Sequence, residues 1–577
     1  MRLLPSVLNF PRCSALLAPL AILGAATSFG IAASEPKPAD GANSPAVDFV
    51  RNLQNEAVTK EVSPLGHWGP DAGKYISWSS HSLRMVPVYT FGTLDAGPGI
   101  DLTSYLGANS PYRSEQRVRE LYGRLPTNTV NPEADYADQT NIADLQRAAV
   151  TAGKKHIFLV VFDGMDWQTT RLAAIYRQQK ILYDRGRGTG LHFLDYTAGG
   201  TTQFGWMVTA THNEGTNGDP NTQTVANPGG TQFGGYHALK AGPNPWTPGS
   251  DVHYPIGKAE KGEGEHAYPD SAPTAAAMTT GVKSYNGAIN VDATGAKLIT
   301  IAHERQEAGW SVGAVSSVPI SHATPAASYA HNVSRDDYQD LSRDLLGLKS
   351  VSHPEHPLPG LDVLIGAGYG TESKNDKGQG SNFVPGNRYL ADADRAAVDR
   401  KNGGKYTVVT RAPGVIGRES LNAAADAAIE TGTRLFGYFG VPKTAHLPFR
   451  TADGDYHPAM GRSKKAESYT SEDVTENPTL ADMTAAAIKV LSQNRKGFWL
   501  LVEPGDVDWA NHDNNIDNSI GAVLSGDDAV RVITDWVDTH SNWRESLLIV
   551  TADHGHYFII DHPEMLIAPQ PAAAASE

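Results

Sequence analysis

His156-Ile157-Phe158-Leu159-Val160-Val161-Phe162-Asp163 is the stretch on which the fold turns. Its residues are apolar or β-favouring and do not alternate with polar ones, which predicts a strand of a parallel sheet buried on both faces. Asp163 stands at its C-terminal end. The same grammar recurs in Gly497-Phe498-Trp499-Leu500-Leu501-Val502, ending at Glu503, and in Ser546-Leu547-Leu548-Ile549-Val550-Thr551-Ala552, ending at Asp553-His554. Three core strands are thus predicted to deliver carboxylates to one sheet edge. Helical patterns lie between them, for example residues 478–491 just before the Glu503 strand. This alternation predicts an α/β fold: a doubly wound, mostly parallel sheet sandwiched by helices, with sites outside the strand C-termini.

Outward from this core, the main domain is expected to span residues 150–562, followed by a tail at 563–577 that is Ala-rich from Pro571. Before it, residues 93–149 are polar and read as an insertion or linker. Residues 47–92 end in Met85-Val86-Pro87-Val88-Tyr89-Thr90-Phe91, a strand whose proline suggests an edge position. Residues 35–46 form a Pro/Ala/Ser-rich linker. Residues 1–34 read as a cleavable export signal. Arg2 and Arg12 flank the start, an apolar run from Leu16 to Leu23 follows, and Ala32-Ala33-Ser34 precede Glu35. Pro19, Gly24 and Gly30 interrupt the apolar stretch, which falls short of the ~20 residues a membrane span needs. A periplasmic or secreted protein without a membrane anchor is expected. Cys13, the only cysteine, lies in that signal, so the mature chain would hold no disulfide.

With 57 glycines and 36 prolines scattered through 577 residues, the composition is that of a loop-rich globular protein. The 48 Lys and Arg residues against 63 Asp and Glu give a formal charge of −15, which disfavours nonspecific attraction to nucleic acid or anionic membranes.

Three clusters carry chemistry. Asp508 and His512, after the Glu503 strand, have the i, i+4 spacing that puts both on one face of a helical turn, which suits zinc or an ordinary ion pair. Asp553-His554-Gly555-His556 ends a buried strand, where an uncompensated acid and two histidines call for a metal or another partner. Ser271, in Pro269-Asp270-Ser271-Ala272-Pro273, opens a strong helix-forming run, so its hydroxyl sits where negative charge and phosphate oxygens are favoured. The plainer alternative is that Asp270 or Ser271 only caps the helix.

The run from Asp270 to Ala288, beginning Asp270-Ser271-Ala272-Pro273-Thr274-Ala275-Ala276-Ala277-Met278-Thr279-Thr280-Gly281, closely resembles the nucleophile segment of alkaline phosphatases. The resemblance extends from about His156 to His556 in the family's order. It implies that Ser271 is transiently phosphorylated beside two zinc ions and one magnesium. Phe162-Asp163-Gly164-Met165 looks like the first metal segment, making Asp163 a ligand shared by the second zinc and the magnesium. His322-Ala323-Thr324-Pro325 resembles the magnesium segment, with Thr324 as ligand and His322 in a metal-site position. Arg335 stands where the family keeps its phosphate-clamping arginine, a fork suited to two phosphate oxygens. Glu503 would complete the magnesium site, Asp508 and His512 the first zinc site, and Asp553 with His554 the second. His556, Asp270 and Trp509 would support them. His322 and Trp509 replace an acid and a basic residue of some relatives, which leaves the third ion's identity open.

The family takes a further histidine of the first zinc site from well downstream of the Asp-His pair, but this chain runs only 23 residues past His554, and His562 follows too closely. Residues 78–92 resemble the family's terminal stretch, with His81 preceding a Val-x-Val-aromatic strand and Gly92. The resemblance therefore implies a circular permutation that brings His81 in front of the main domain, with His67 as the next candidate. The expected function is an exported phosphatase acting on small phosphate monoesters, with a homodimer as the candidate assembly. The alternatives are a phosphodiesterase of the same superfamily and a non-catalytic exported metal- or phosphate-binding protein. A sulfatase needs an arginine four residues after its nucleophile, where this chain has Ala275.

Overall fold

The computed structural model describes residues 48–257 and 264–568. The signal at 1–34, the linker at 35–46 and the end of the tail lie outside the described residues. Ten strands form the main sheet: β1 (Val86–Phe91), β2 (Ala137–Asp138), β3 (His156–Phe162), β4 (Gln203–Val208), β5 (Ser311–Pro319), β6 (Val363–Ala367), β7 (Tyr406–Thr410), β8 (Arg434–Tyr438), β9 (Phe498–Glu503) and β10 (Ser546–Ala552). Their spatial order is β7-β8-β6-β5-β9-β3-β10-β1-β4-β2. Every neighbouring pair is parallel except the two made by β1, which therefore runs against the rest.

The three strands read from the sequence are direct neighbours. β3 lies between β9 and β10, with His156 level with both Phe498 and Ser546. This register brings Glu503, Asp163 and Asp553 out side by side at the C-terminal edge. All residues of β9 and β10 are buried, as the lack of alternation predicts.

Two sets of helices cover the sheet, and both contact β5. One contains α1 (Asn141–Thr151), α3 (Ser271–Thr280) and α4 (Ile301–Glu307); the other contains α2 (Trp167–Gln178), α6 (Gly417–Thr431), α7 (Leu480–Leu491) and α9 (Ile516–His540). α7 begins at a capping box, in which the Thr479 hydroxyl accepts from the Asp482 N–H and the Asp482 carboxylate accepts from the Thr479 N–H. Two further helices matter for the site: α5 (Tyr338–Leu346) and α8 (Asp506–His512). No helix among the described residues is long and apolar enough to cross a membrane.

Two expectations need correction. β1 is not an edge strand: β10 and β4 flank it on either side. Pro87 is tolerated because the β10 ladder starts one residue later, at Val88↔Thr551, and the Pro87 carbonyl still accepts from the Thr551 hydroxyl at 2.8 Å. The stretch 93–149, read as an insertion or linker, also contributes to the core: it supplies β2 and α1, and α1 packs on α3. There Gln146 Nε2 donates to the Met278 carbonyl at 3.0 Å.

Candidate metal centre and nucleophile

Ser271 is the first residue of α3, 1% exposed, and Asp270 caps the helix by accepting from Ala272 N at 2.8 Å. The Ser271 hydroxyl lies 3.3 Å from Asp163 Oδ1 and 3.1 Å from His554 Nε2. Asp163 follows β3 and the Asp553-His554 pair follows β10. His554 Nε2 is 3.2 Å from Asp163 Oδ1 and 3.4 Å from Asp553 Oδ2. Gly164 is required here. Its φ is +72°, and a Cβ there would meet the His556 ring at 2.8 Å.

A second cluster adjoins the first. His81 and His512 face each other through their Nε2 atoms at 3.0 Å, and Asp508 Oδ1 lies 3.6 Å from His81 Nε2 and 3.5 Å from His512 Nε2. His81 Nδ1–H donates to the Pro269 carbonyl at 3.0 Å, and His512 Nδ1–H donates to the Ser79 carbonyl at 2.5 Å. With Nδ1 carrying the proton in both rings, the two Nε2 lone pairs point at each other, an arrangement that a cation between them would satisfy. His556 Nε2 donates to Asp508 Oδ1 at 2.6 Å. His81 reaches this place because Ser82 bridges Gly555, its N–H donating to the Gly555 carbonyl at 2.7 Å. His67 lies elsewhere, bonded to Asp561 at 2.8 Å.

The third cluster joins Asp163, His322 and Glu503, whose ligand atoms lie within 4.8 Å of one another. Asp163 Oδ2, Glu503 Oε1, Thr324 Oγ1 and His322 Nδ1 are all buried without a hydrogen-bond partner. Such orphans are costly unless an ion satisfies them. Ser316, level with Glu503 across β5 and β9, donates its hydroxyl to the other Glu503 oxygen.

The electrostatics point the same way. Burial, then the neighbouring Asp508 and Glu503, pushes the Asp163 carboxyl well above its usual range. Burial and Asp163 do the same to Asp553, and burial raises Glu503 to about 8. Burial also opposes the Asp508 carboxylate, but His512, His556 and His81 outweigh it and hold that group well below the usual range. Four carboxylates no more than 3% exposed share this edge, and the guanidinium beside them is Arg335. Uncompensated buried ions cost on the order of several kcal/mol each, so the donor set fits divalent cations.

Arg335 Nη1 lies 3.5 Å from Asp270 Oδ1, and its Nη2 donates to His322 Nε2 at 3.3 Å. Burial lowers its pKa, but Asp270 and its other acidic neighbours more than offset this, so the guanidinium stays charged. Ser271, Arg335, His81, His322, Asp508, Trp509 and His512 line one cavity of about 630 Å³. Trp509 stands edge-on between His322, at 5.6 Å, and His446, at 5.1 Å. Apart from the alternative His67, every site residue expected from the sequence is thus at this edge or in this cavity. Sequence reasoning missed Ser79, Asp336, Tyr338, Arg462 and Asp513, which also line it. Tyr338 lies three positions past Arg335, a weak signal; Arg462 sits in the polar loop Gly461-Arg462-Ser463-Lys464-Lys465, which carries no signal.

The family profile described as Alkaline phosphatase matches residues 244–570, more than half of the chain. The chain belongs to the alkaline phosphatase family. The matched stretch holds Ser271, Thr324, Arg335, Glu503, Asp508, His512, Asp553 and His554, and it begins after both His81 and Asp163. Alkaline phosphatase 4 of Bacillus subtilis (strain 168) is 30% identical over 285 residues, 49% of this chain and 49% of that protein. The alkaline phosphatase of Escherichia coli (strain K12) is 30% identical over 321 residues, 55% of this chain and 64% of that one. The chain thus spans about half the length of curated alkaline phosphatases it matches. Among solved structures, a cold-active alkaline phosphatase from the psychrophile Shewanella sp. aligns with a TM-score of 0.41 at 24% identity, covering 70% of this chain and 68% of that one.

Proposed function

We propose that the chain is an exported phosphomonoesterase that cleaves small phosphate monoesters through a phosphoserine on Ser271. The observation that carries this reading is the Ser271 hydroxyl, buried at a helix N-terminus within 3.3 Å of Asp163 and His554. A helix cap has no need of such neighbours.

Three ions are assigned. Asp508, His512 and His81 would hold the first zinc, and Asp163, Asp553 and His554 the second. Asp163, Thr324 and Glu503, with His322 beside them, would hold a third ion, taken as magnesium. When bound, the paired ions supply Lewis acidity at the entering and leaving oxygens. The chain's own groups do the rest. Ser271 Oγ loses its proton and attacks phosphorus, the Oγ–P bond forms, the ester P–O bond breaks, and the leaving alkoxide takes a proton from water to depart as the alcohol. Water then attacks phosphorus, the Oγ–P bond breaks, and inorganic phosphate leaves. The positive N-terminal end of α3 faces the non-bridging oxygens, and Arg335, braced by Asp270, presents its fork to two of them. His556 holds Asp508 through its 2.6 Å hydrogen bond.

His81 belongs to this set although it precedes every other ligand in the chain. Its fixed tautomer and its 3.0 Å approach to His512 support the permuted arrangement. Export rests on the signal pattern at residues 1–34.

A phosphodiesterase is the competing reading, and Arg335 argues against it by suiting a terminal dianion. Hydrolysis of a chromogenic monoester and the matching diester, with and without chelator, separates the two. The expected result is chelator-sensitive turnover with the monoester faster. A faster diester overturns the assignment.

A further inference from the structure

A second imidazole–carboxylate cluster lies apart from the catalytic cavity lining. His331, Asp344 and His353 each offer one ligand atom, and the three atoms lie within 4.8 Å of one another. They come from different elements: His331 from the segment leading to Arg335, Asp344 from α5, and His353 from the loop after it.

The chemistry of the His331 ring is fixed. Its Nε2–H donates to the Leu298 carbonyl at 2.7 Å, so its Nδ1 carries a lone pair, and that atom faces His353 Nε2 at 3.1 Å. His353 Nε2 in turn lies 3.8 Å from Asp344 Oδ2. Ligand atoms at about 2.0–2.1 Å around a tetrahedral zinc stand roughly 3.3–3.4 Å apart, and these separations bracket that value. The N···N separation also matches the 3.0 Å between His81 and His512 in the catalytic cavity.

The carboxylate is oriented from behind. Asp344 Oδ1 accepts from the Ser350 hydroxyl at 2.5 Å, and Oδ2 accepts from the His331 N–H at 3.0 Å. Asp344 is 0% exposed, and among the described residues the only basic group in ion-pair reach of it is His353. An imidazole–imidazole hydrogen bond would account for the 3.1 Å contact but would leave this buried carboxylate with no cation nearer than the Lys297 ammonium, which acts on it from beyond ion-pair distance and is bonded to the Ser352 carbonyl.

We infer that His331, Asp344 and His353 form a separate site for a late first-row divalent cation, zinc first, that ties the segment carrying Arg335 to α5. Two imidazoles and one carboxylate are a borderline donor set that selects such ions over calcium or magnesium. His353 is 13% exposed on its side chain, which puts the cluster near the surface. The ion is structural. It joins residues on both sides of Arg335, and α5 also presents Tyr338 to the catalytic cavity.

The test counts zinc per chain in the full-length protein after loading and removal of excess, comparing the parent with His353→Gln and Asp344→Asn. Gln keeps a hydrogen-bond donor for His331 but is a poor zinc ligand, and the position is near the surface. The expected result is one zinc fewer per chain in each variant, with recovery in His353→Cys, which restores a ligand. Equal zinc in the parent and both loss variants overturns the site. Because the result is a difference, it holds whatever number of ions the catalytic cavity binds. A variant that fails to fold is replaced by the other two in the comparison.

Discussion

Ser271 sits among four groups with opposing charge requirements, and the cost of each choice can be followed atom by atom. Asp163 and Asp553 repel one another, His554 lies between them, and Arg335 reaches over from Asp270. If Ser271 is phosphorylated as proposed, removing the guanidinium leaves the phosphoryl oxygens facing only the N-terminal end of α3. Arg335→Ala is therefore expected to lower kcat/KM by about 10²-fold, with inorganic phosphate inhibiting less strongly. Steady-state kinetics with a chromogenic monoester checks both. Gly164→Ala should act differently, because its Cβ would push the His556 ring that steadies Asp508. Lost zinc and a lower Tm are expected together, by metal analysis and thermal melting. At this scale the sequence was informative wherever a side chain stands at the end of an apolar strand, as Asp163, Glu503 and Asp553 do. It was silent where geometry comes from loops: Arg462 has no motif around it, and His331, Asp344 and His353 come together from three separate segments.

Among the elements, β1 decides more than its length suggests. It is the one strand that opposes the rest, and the turn before it carries His81 to the edge where β10 delivers His554 and His556. Pro87 pointed to an edge strand, because a proline cannot donate to a ladder. The register evades that rule by starting the β10 ladder at Val88, a detail set by pairing partners far along the chain. The parallel strands were easier to read, since burial on both faces removes polar alternation from β3, β9 and β10 alike. If His81 completes the first zinc site, His81→Ala should lose about one zinc per chain and most turnover, whereas His67→Ala, whose partner is Asp561, should keep both. Metal analysis of the two variants decides the matter. Unchanged zinc in His81→Ala would remove the permuted ligand from the account.

For the whole molecule, the cations and the fold are linked. Four buried carboxylates at one sheet edge are tolerable only with compensating charge, so chelation is expected to lower Tm as well as activity. The pH dependence of that loss has a definite sign. In the metal-free chain burial raises Glu503 from an ordinary 4.5 to about 8. The folded state then keeps a proton that the unfolded state releases, and this group's contribution falls as pH rises from about 4.5 to about 8, levelling beyond. The Tm of chelated protein should therefore drop between pH 5 and pH 8 more steeply than that of metal-loaded protein. A melting series at several pH values checks it, and parallel slopes would contradict it.

The central claim is that Ser271 is a nucleophile rather than a helix cap. Its most direct test is the turnover of a chromogenic phosphomonoester by metal-loaded Ser271→Ala beside the parent. Alanine keeps the helix and leaves the Asp270 cap in place, so the variant should fold and bind metal normally. Turnover is expected to fall by at least about 10³-fold; a variant that keeps the parent's rate would show that phosphorus is attacked by something else.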